Sequence, residues 1–330
     1  MHYRPLGKTD MQLPVVSFGA WAIGGWMWGG ADDDAAIRAI HAAVDHGMTC
    51  IDTAPAYGMG HSETLVGDAI ADRRDKVLIA TKCGLRWDEE EGQFFFDTVD
   101  NDKTPQKMYK NLRPASVRAE CEASLRRLKT DYIDLYQCHW PDATTPIADT
   151  MGVLLELQQE GKIRAFGVSN FTVDMLQECL THGRIESDQP RYNALDRTIE
   201  EDVLPFCREH DLAVLAYSPI EQGLLSGKIG PERQFKPGDQ RLNKPLFSHG
   251  NRTKILDMLA SLRPMADGYN ATFTQLFIAW VTAQPGITSA LVGARTEKQA
   301  CENAAAGNIV LSDEDEKAIR AAVADLDLNT

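Results

Sequence analysis

The sequence predicts a closed (β/α)8 TIM barrel, and three observations carry that prediction. Short apolar runs alternate with amphipathic stretches almost from end to end of the 330 residues. The runs are apolar on both faces, which marks strands covered by helices and therefore paired in parallel. There are eight such strand-and-helix units, and eight suit a closed barrel better than an open sheet.

Taken in order, Tyr3–Leu13 reads as a hairpin that plugs the bottom of the barrel. The strand runs are Val15–Phe18, Thr49–Asp52, Val77–Thr81, Ile133–Cys138, Ile163–Val168, Asp188–Tyr192, Ala213–Tyr217 and Ser289–Val292. Asp34–His46 carries apolar residues at helical spacing, and Ser62-Glu63 opens a helix over Glu63–Asp72. Helices over Pro114–Leu128, Ile147–Glu160, Val173–Leu180, Glu201–His210, Thr272–Thr282 and Glu297–Ala305 follow their strands. A last helix, Asp313–Leu326, comes after the eighth unit. One long polar stretch bearing Pro and Gly, Ile229–Asn251, interrupts the seventh connection. Long loops in compact domains are usually functional or mobile, so this one is expected to be a lid. Residues 1–330 are expected to form a single domain.

Composition narrows the function. A formal net charge of −14 argues against nucleic acid or an anionic membrane as a partner, because both repel acidic proteins. The start, Met1-His2-Tyr3-Arg4-Pro5, lacks the apolar core of a secretory signal. No apolar run approaches the ~18 residues of a membrane span. The seven cysteines include no C-x-x-C pair, which points to reduced thiols in a cytoplasmic protein and to no metal site. Rival folds fit poorly. Gly19-Ala20-Trp21-Ala22-Ile23-Gly24 breaks the dinucleotide G-x-G-x-x-G pattern, Gly223–Lys228 is one residue short of a phosphate loop, and no G-x-S-x-G occurs.

In such barrels, chemistry gathers at the C-terminal ends of the strands. Asp52 ends the second strand and Tyr57 lies in the loop after it; Lys82 closes the third and His139 the fourth. Each alone has an ordinary explanation: a turn cap, a packing ring, a solvated charge, a loop residue. Together, on consecutive strands, they form a proton-transfer set. A free phenol, with pKa near ~10, is a poor acid at neutral pH, and an adjacent ammonium is expected to pull that value down. Asp52 is the natural partner for a buried Lys82, and His139 can orient a substrate oxygen. A Schiff-base role for Lys82 is the alternative, but it leaves Asp52 and Tyr57 with little to do.

Reduction of a carbonyl also needs a hydride, which no side chain supplies, so a nicotinamide or flavin is implied. Ser169-Asn170 and Gln189, at the fifth and sixth strand ends, offer amide-binding groups. Tyr217-Ser218-Pro219 offers a ring face, and Gly293-Ala294-Arg295 leads into a helix carrying Gln299 and Asn303, where a Gly and a cation make an anion site. The tryptophans cluster as well. Trp21, Trp26, Trp28, Trp87 and Trp140 lie in the loops after the first, third and fourth strands. Trp21, Trp28, Trp87 and Trp140 are expected to wall a substrate pocket, since pockets are commonly apolar with a few placed polar groups.

These motifs together resemble the aldo-keto reductases along essentially the whole chain. The resemblance is carried by Asp52-Thr53-Ala54-x-x-Tyr57-Gly58, Thr81-Lys82, His139-Trp140-Pro141, Gly161-Lys162-Ile163-Arg164, Gly167-Val168-Ser169-Asn170 and Gly223-Leu224-Leu225-Ser226-Gly227-Lys228. It is nearest in detail to the bacterial general-stress and inositol-linked branch. It implies a catalytic tetrad of Asp52, Tyr57, Lys82 and His139, with Tyr57 as general acid in reduction. It implies that Ser169, Asn170 and Gln189 grip the carboxamide, while Tyr217 stacks on the nicotinamide. Gly19 and Trp21 fall among its cofactor residues; Ser218, Leu224, Gly227 and Lys228 fall at the pyrophosphate. Gly293, Arg295, Gln299 and Asn303 fall at the adenosine and its 2′-phosphate. Where the better-known branch carries Lys-Ser-x-x-x-x-Arg, this chain has Arg295-Thr296 and Gln299.

The resulting expectation is an NADPH-preferring cytoplasmic reductase of small aldehydes and ketones, with NAD possible, acting as a monomer or weak homo-oligomer. Oxidation of an aldose or polyol by the same site and a cofactor-sensing regulatory subunit are the alternatives.

Overall fold

The structure, a computed structural model, describes residues 1–329. The chain opens with an antiparallel hairpin, β1 (Tyr3–Pro5) and β2 (Gln12–Pro14), with Tyr3 opposite Pro14. Its Leu6, Met11 and Leu13 are buried against Cys50, Ala80, Leu135, Ala165, Ala213 and Leu215 from the barrel lumen, so the hairpin is a plug. Burying these side chains contributes roughly 1.5–3 kcal/mol each.

The barrel strands then alternate with helices. β3 (Val16–Gly19) leads to α1 (Asp33–Asp45), β4 (Cys50–Asp52) to α2 (His61–Ile70), and β5 (Leu78–Cys83) into an insertion. After that insertion come α3 (Pro114–Leu128), β9 (Ile133–Cys138), α4 (Ile147–Gln159), β10 (Ile163–Val168) and α5 (Val173–His182). β11 (Ser187–Asp188), α6 (Val203–Glu209) and β12 (Ala213–Tyr217) precede a long seventh connection. With β13 (Ile287–Gly293) as the eighth strand, the sheet runs β3-β4-β5-β9-β10-β11-β12-β13 and closes on itself, all parallel. The core fills the layer between sheet and helices, with Trp280, Tyr136 and Phe166 among its largest side chains.

Three features depart from the expectation. The third connection holds an unforeseen sheet, β6 (Leu85–Arg86), β7 (Gln93–Val99) and β8 (Pro105–Lys110), ordered β6-β8-β7. Its pairing slips between Phe94 and Phe96, leaving Phe95 as the extra residue of a bulge. That bulge destroys the period-two pattern by which a strand is recognised. The seventh connection carries α7 (His249–Ser261) and α8 (Arg263–Gly268) before α9 (Phe273–Ala283), and the 229–251 stretch is wound into short 3-10 turns at Gln240–Asn243 and Pro245–Phe247. The sixth strand stops at Asp188 because Pro190 has no N–H for the ladder, although Arg191 still bridges Tyr217. β13 (Ile287–Gly293), α10 (Glu297–Ala306) and α11 (Asp313–Ala324) finish the fold.

Candidate active site

β4 delivers Asp52 to the barrel mouth, and the chain then turns sharply so that Tyr57 leans back over it. The turn is held by Tyr57 N–H donating to Ala54 O at 3.1 Å, and by Thr53 Oγ1 and Ser62 Oγ, 2.9 Å apart. Ser62 Oγ donates onward to Ala20 O, tying this turn to the loop after β3. At Gly58, with φ +71°, a Cβ would sit 2.3 Å from Gly24 O, so the close approach of these two loops requires glycine.

Lys82 rises from β5 beneath the phenol and is wholly buried. Its ammonium donates to Asp52 Oδ1 at 2.6 Å, Thr53 O at 2.8 Å and the Tyr57 hydroxyl at 3.2 Å, which uses all its protons. The His139 ring stands edge-on to Tyr57 with centroids 5.7 Å apart. Its Nδ1 is buried without a partner among the described residues.

Electrostatics follow burial first. Burial works against the Lys82 charge, yet Asp52 and Tyr57 together hold its pKa above the ordinary value. Burial, helped by Lys82, pushes the His139 imidazole well below its usual range, so the ring is neutral at pH 7. The expectation of a lowered Tyr57 pKa is corrected: burial raises it, and Lys82 only partly opposes this. The phenol therefore keeps its proton at neutral pH.

Asp52, Tyr57 and His139 open onto one cavity of ≈ 670 Å³. Along it the structure also places Gly19, Trp21, Ser169, Asn170, Gln189 and Tyr217, and farther out Ser218, Lys228, Gly293, Arg295, Gln299 and Asn303. Asn170 donates to His139 O and accepts from the Tyr217 hydroxyl, while Ser169 Oγ donates to Gln189 O. Gln189 Nε2 donates to Asp52 Oδ2 at 2.8 Å, and its Oε1 accepts from no group among the described residues. A nicotinamide fits this end, since a carboxamide can meet that open acceptor beside the Tyr217 ring.

Other expected residues sit differently. Trp28 and Trp140 line the cavity, but Trp87 does not. Trp87 lies past the end of β6, half-buried against the side cluster of Trp26, Leu85 and Met108. Leu224 and Gly227 also lie off the cavity wall. Leu224 turns into the main core, and Gly227 holds a left-handed bend whose Cα faces the Phe273 ring. Lys228 is paired with Glu302 at 2.9 Å, and Gln299 Oε1 accepts from the Arg295 backbone N–H. The Arg295 guanidinium donates to the carbonyls of Trp28 and Gly30.

The structure adds lining residues that the sequence did not single out. Phe95 and Phe96 both face the cavity, because the bulge turns consecutive side chains to one side. Arg241 and Gln222 come from the seventh connection. Gln240 N–H donates to Met27 O at 3.0 Å and the Arg241 guanidinium lies 4.8 Å from the Trp28 ring, so this strap is clasped to the loop after β3. Irregular segments carry no period to mark such residues.

Residues 15–324 match the sequence model of the aldo/keto reductase family. The chain belongs to that family. This aldo/keto reductase is 44% identical over 322 residues, 96% of each chain, to an Escherichia coli protein described as an NADH-specific methylglyoxal reductase. Its fold matches the glycerol dehydrogenase AKR11B4 from Gluconobacter oxydans with a TM-score of 0.88 and 40% identity, over 99% of this chain and 97% of the other. It also matches an aldo-keto reductase from Klebsiella pneumoniae, solved with NADPH, with a TM-score of 0.72, 29% identity and 100% coverage of both chains. It is an oxidoreductase of small carbonyl compounds, in a family that uses nicotinamide cofactors. No helix of its described residues is long and apolar enough to cross a membrane.

Proposed function

We propose that this aldo/keto reductase reduces small aldehydes and ketones to alcohols with NADPH, using Tyr57 as the proton donor. The observation that supports it most is the single ammonium of Lys82 spanning Asp52 and Tyr57 at the cavity floor. When bound, the cofactor supplies hydride to the carbonyl carbon. Tyr57 gives its proton to the carbonyl oxygen as charge develops there, a step worth about 10²–10⁴ in rate. Lys82 stabilises the tyrosinate left behind, and Asp52 holds Lys82 in place. His139, neutral, offers a ring nitrogen to the substrate oxygen and orients it.

Ser169, Asn170 and Gln189 hold the carboxamide and Tyr217 backs the ring. Arg295 provides a cation for a 2′-phosphate: among the described residues no carboxylate pairs with it, and the acidic mean field makes a local cation more necessary. An NADH reading is favoured by the E. coli relative's description and by the neutral Gln299. Because that relative is described as a methylglyoxal reductase, 2-oxoaldehydes join aromatic and aliphatic aldehydes in the proposed substrate class. The free cysteines, six of seven buried, support a reducing cytoplasmic setting.

Stopped-flow hydride transfer with purified protein, NADPH or NADH, and aromatic, aliphatic, 2-oxo and sugar aldehydes tests this. Rapid oxidation of NADPH with small aldehydes is the expected result. Cofactor that binds and is not consumed would favour the sensor, and faster reduction of NAD by polyols would favour the dehydrogenase.

A further inference from the structure

We propose that Gln137 is a positioning residue that locks the orientation of the Gln189 amide, and so sets how a nicotinamide carboxamide docks above Asp52. The inference rests on reading the cavity as a nicotinamide site. Gln137 stands on β9 two residues before His139, in register with Lys82 on β5, and is wholly buried in the lumen. Nothing in the reaction itself calls for a primary amide there. A buried amide is costly unless its donors and acceptor are met.

Here most of them are met, and in one arrangement. Gln189 Nε2 donates to Asp52 Oδ2 at 2.8 Å and to Gln137 Oε1 at 3.3 Å. Gln137 Nε2 reaches the same Asp52 oxygen at 3.4 Å. Both protons of the Gln189 nitrogen therefore have acceptors inside the barrel. A carboxylate oxygen can only accept, so a flipped Gln189 would set oxygen against oxygen at Asp52 and again at Gln137. Among the described residues the Gln189 oxygen is thus the acceptor of the pair left free, on a residue that lines the cavity. An acceptor selects a donor, here the amide nitrogen of the carboxamide rather than its oxygen. Asp52 would hold the Gln189 nitrogen without help, but one of that nitrogen's protons would then be stranded in the lumen and the amide would swing more freely.

The same carboxylate serves both sides of the site. Asp52 Oδ1 takes the Lys82 ammonium, while Oδ2 takes the two glutamines. A hydrogen-bonded chain accordingly runs from the carboxamide position through Gln189, Asp52 and Lys82 to the Tyr57 hydroxyl. Such chains polarise along their length.

Gln137→Leu and Gln137→Glu test this, with cofactor affinity read by titration calorimetry and turnover read separately. Leu fills the space but neither accepts nor donates. NADPH and NADH should both bind roughly fivefold or more weakly, as expected for one buried polar group left unpaired. Gln137→Glu should recover affinity at low pH, where its carboxyl carries a proton. That form keeps an oxygen for Gln189 Nε2 and an O–H for Asp52. The charged group facing it from β4 is Asp52, which together with burial raises the new carboxyl's pKa; Lys82 from β5 opposes this, Gln189 just past β11 is neutral, and Gly167 from β10 adds nothing. Affinity in Gln137→Glu should then fall as pH rises through that value, a step absent from wild type. Unchanged cofactor affinity in Gln137→Leu would overturn the proposal. So would a loss in Gln137→Glu that is the same at every pH, which marks packing alone. A wild-type chain that binds cofactor yet reduces no carbonyl would overturn the reductase reading only, since the binding arm reads Gln137 directly.

Discussion

The floor and the roof of the cavity are built by different means. At the floor, Asp52 and Lys82 come from adjacent strands and, with Tyr57, form a hydrogen-bonded chain with distances of 2.6 and 3.2 Å. Over it, Trp28, Phe95, Phe96 and Arg241 come from three separate insertions; Arg241 meets the Trp28 ring in a cation–π contact, and Phe96 stacks on Trp26 beside it. Trp21 stands between, stacked on Tyr57 at 6.0 Å and edge-on to Trp28 at 5.5 Å. Each aromatic contact is worth about 0.5–1.5 kcal/mol, whereas removing one partner of a buried ion pair costs roughly 3–5 kcal/mol. The floor thus tolerates no substitution without loss, while the roof can be recut piece by piece. Reaction type should be a property of the floor, and substrate and cofactor choice a property of the roof and rim.

The sharpest way to break this division is Tyr57→Phe, which keeps the ring and removes the proton. Carbonyl reduction should fall by at least ~10² with cofactor affinity unchanged. Near-normal turnover would remove Tyr57 from the reaction. The pH profile adds a sign. Because burial holds the phenol above its ordinary value, kcat/KM for reduction should stay level through neutral pH and fall only on the alkaline side of about 10. Tyr57→Phe should abolish that alkaline limb.

Lys82→Met should slow reduction to a similar degree and also destabilise the fold by roughly 3–5 kcal/mol, since it strands Asp52 in the lumen. Denaturant unfolding measures the second effect. A large rate loss without a stability loss would mean that Asp52 finds other partners. Trapping of substrate on Lys82 by borohydride would instead favour Schiff-base chemistry.

At the rim, Arg295→Ala should weaken NADPH binding about tenfold and leave NADH nearly untouched, as expected for a charge-assisted contact. Equal losses for both cofactors would make Arg295 a structural clasp on the Trp28 and Gly30 carbonyls.

The smallest effect belongs to the roof. Trp28→Ala should lower kcat/KM for an aromatic aldehyde several-fold, as for a loss of about 1 kcal/mol, and change a short aliphatic aldehyde less. A uniform loss across substrates would mean that Trp28 serves mainly to hold the strap through Arg241.

The two regions also differ in how far they could be read in advance. Asp52, Lys82 and His139 were legible because a strand's period and its end fix where a side chain points. The plug hairpin and the alternation of strands and helices were legible for the same reason. Phe95 and Phe96 were not, since a bulge erases the pattern that would have marked them. α7 and α8 lay hidden behind a stretch whose polarity suggested only a loop. Trp87 matched its neighbours in composition but falls past the end of a two-residue strand, outside the cavity wall. Lys228 has the right type for a phosphate contact, but its Glu302 partner lies 74 residues away.

By itself, then, the sequence determined the barrel, the family and the residues at its strand ends, because these depend on local period, parity and motif. Tertiary structure alone decided which direction the Tyr57 pKa moves, since burial outweighs a neighbouring charge only once the chain closes around the ring. It alone decided the roof, where residues from three insertions converge, and the Gln137–Gln189–Asp52 contact, which joins two strands and the residue just past a third. Those are long-range distances, and no spacing along a chain encodes them.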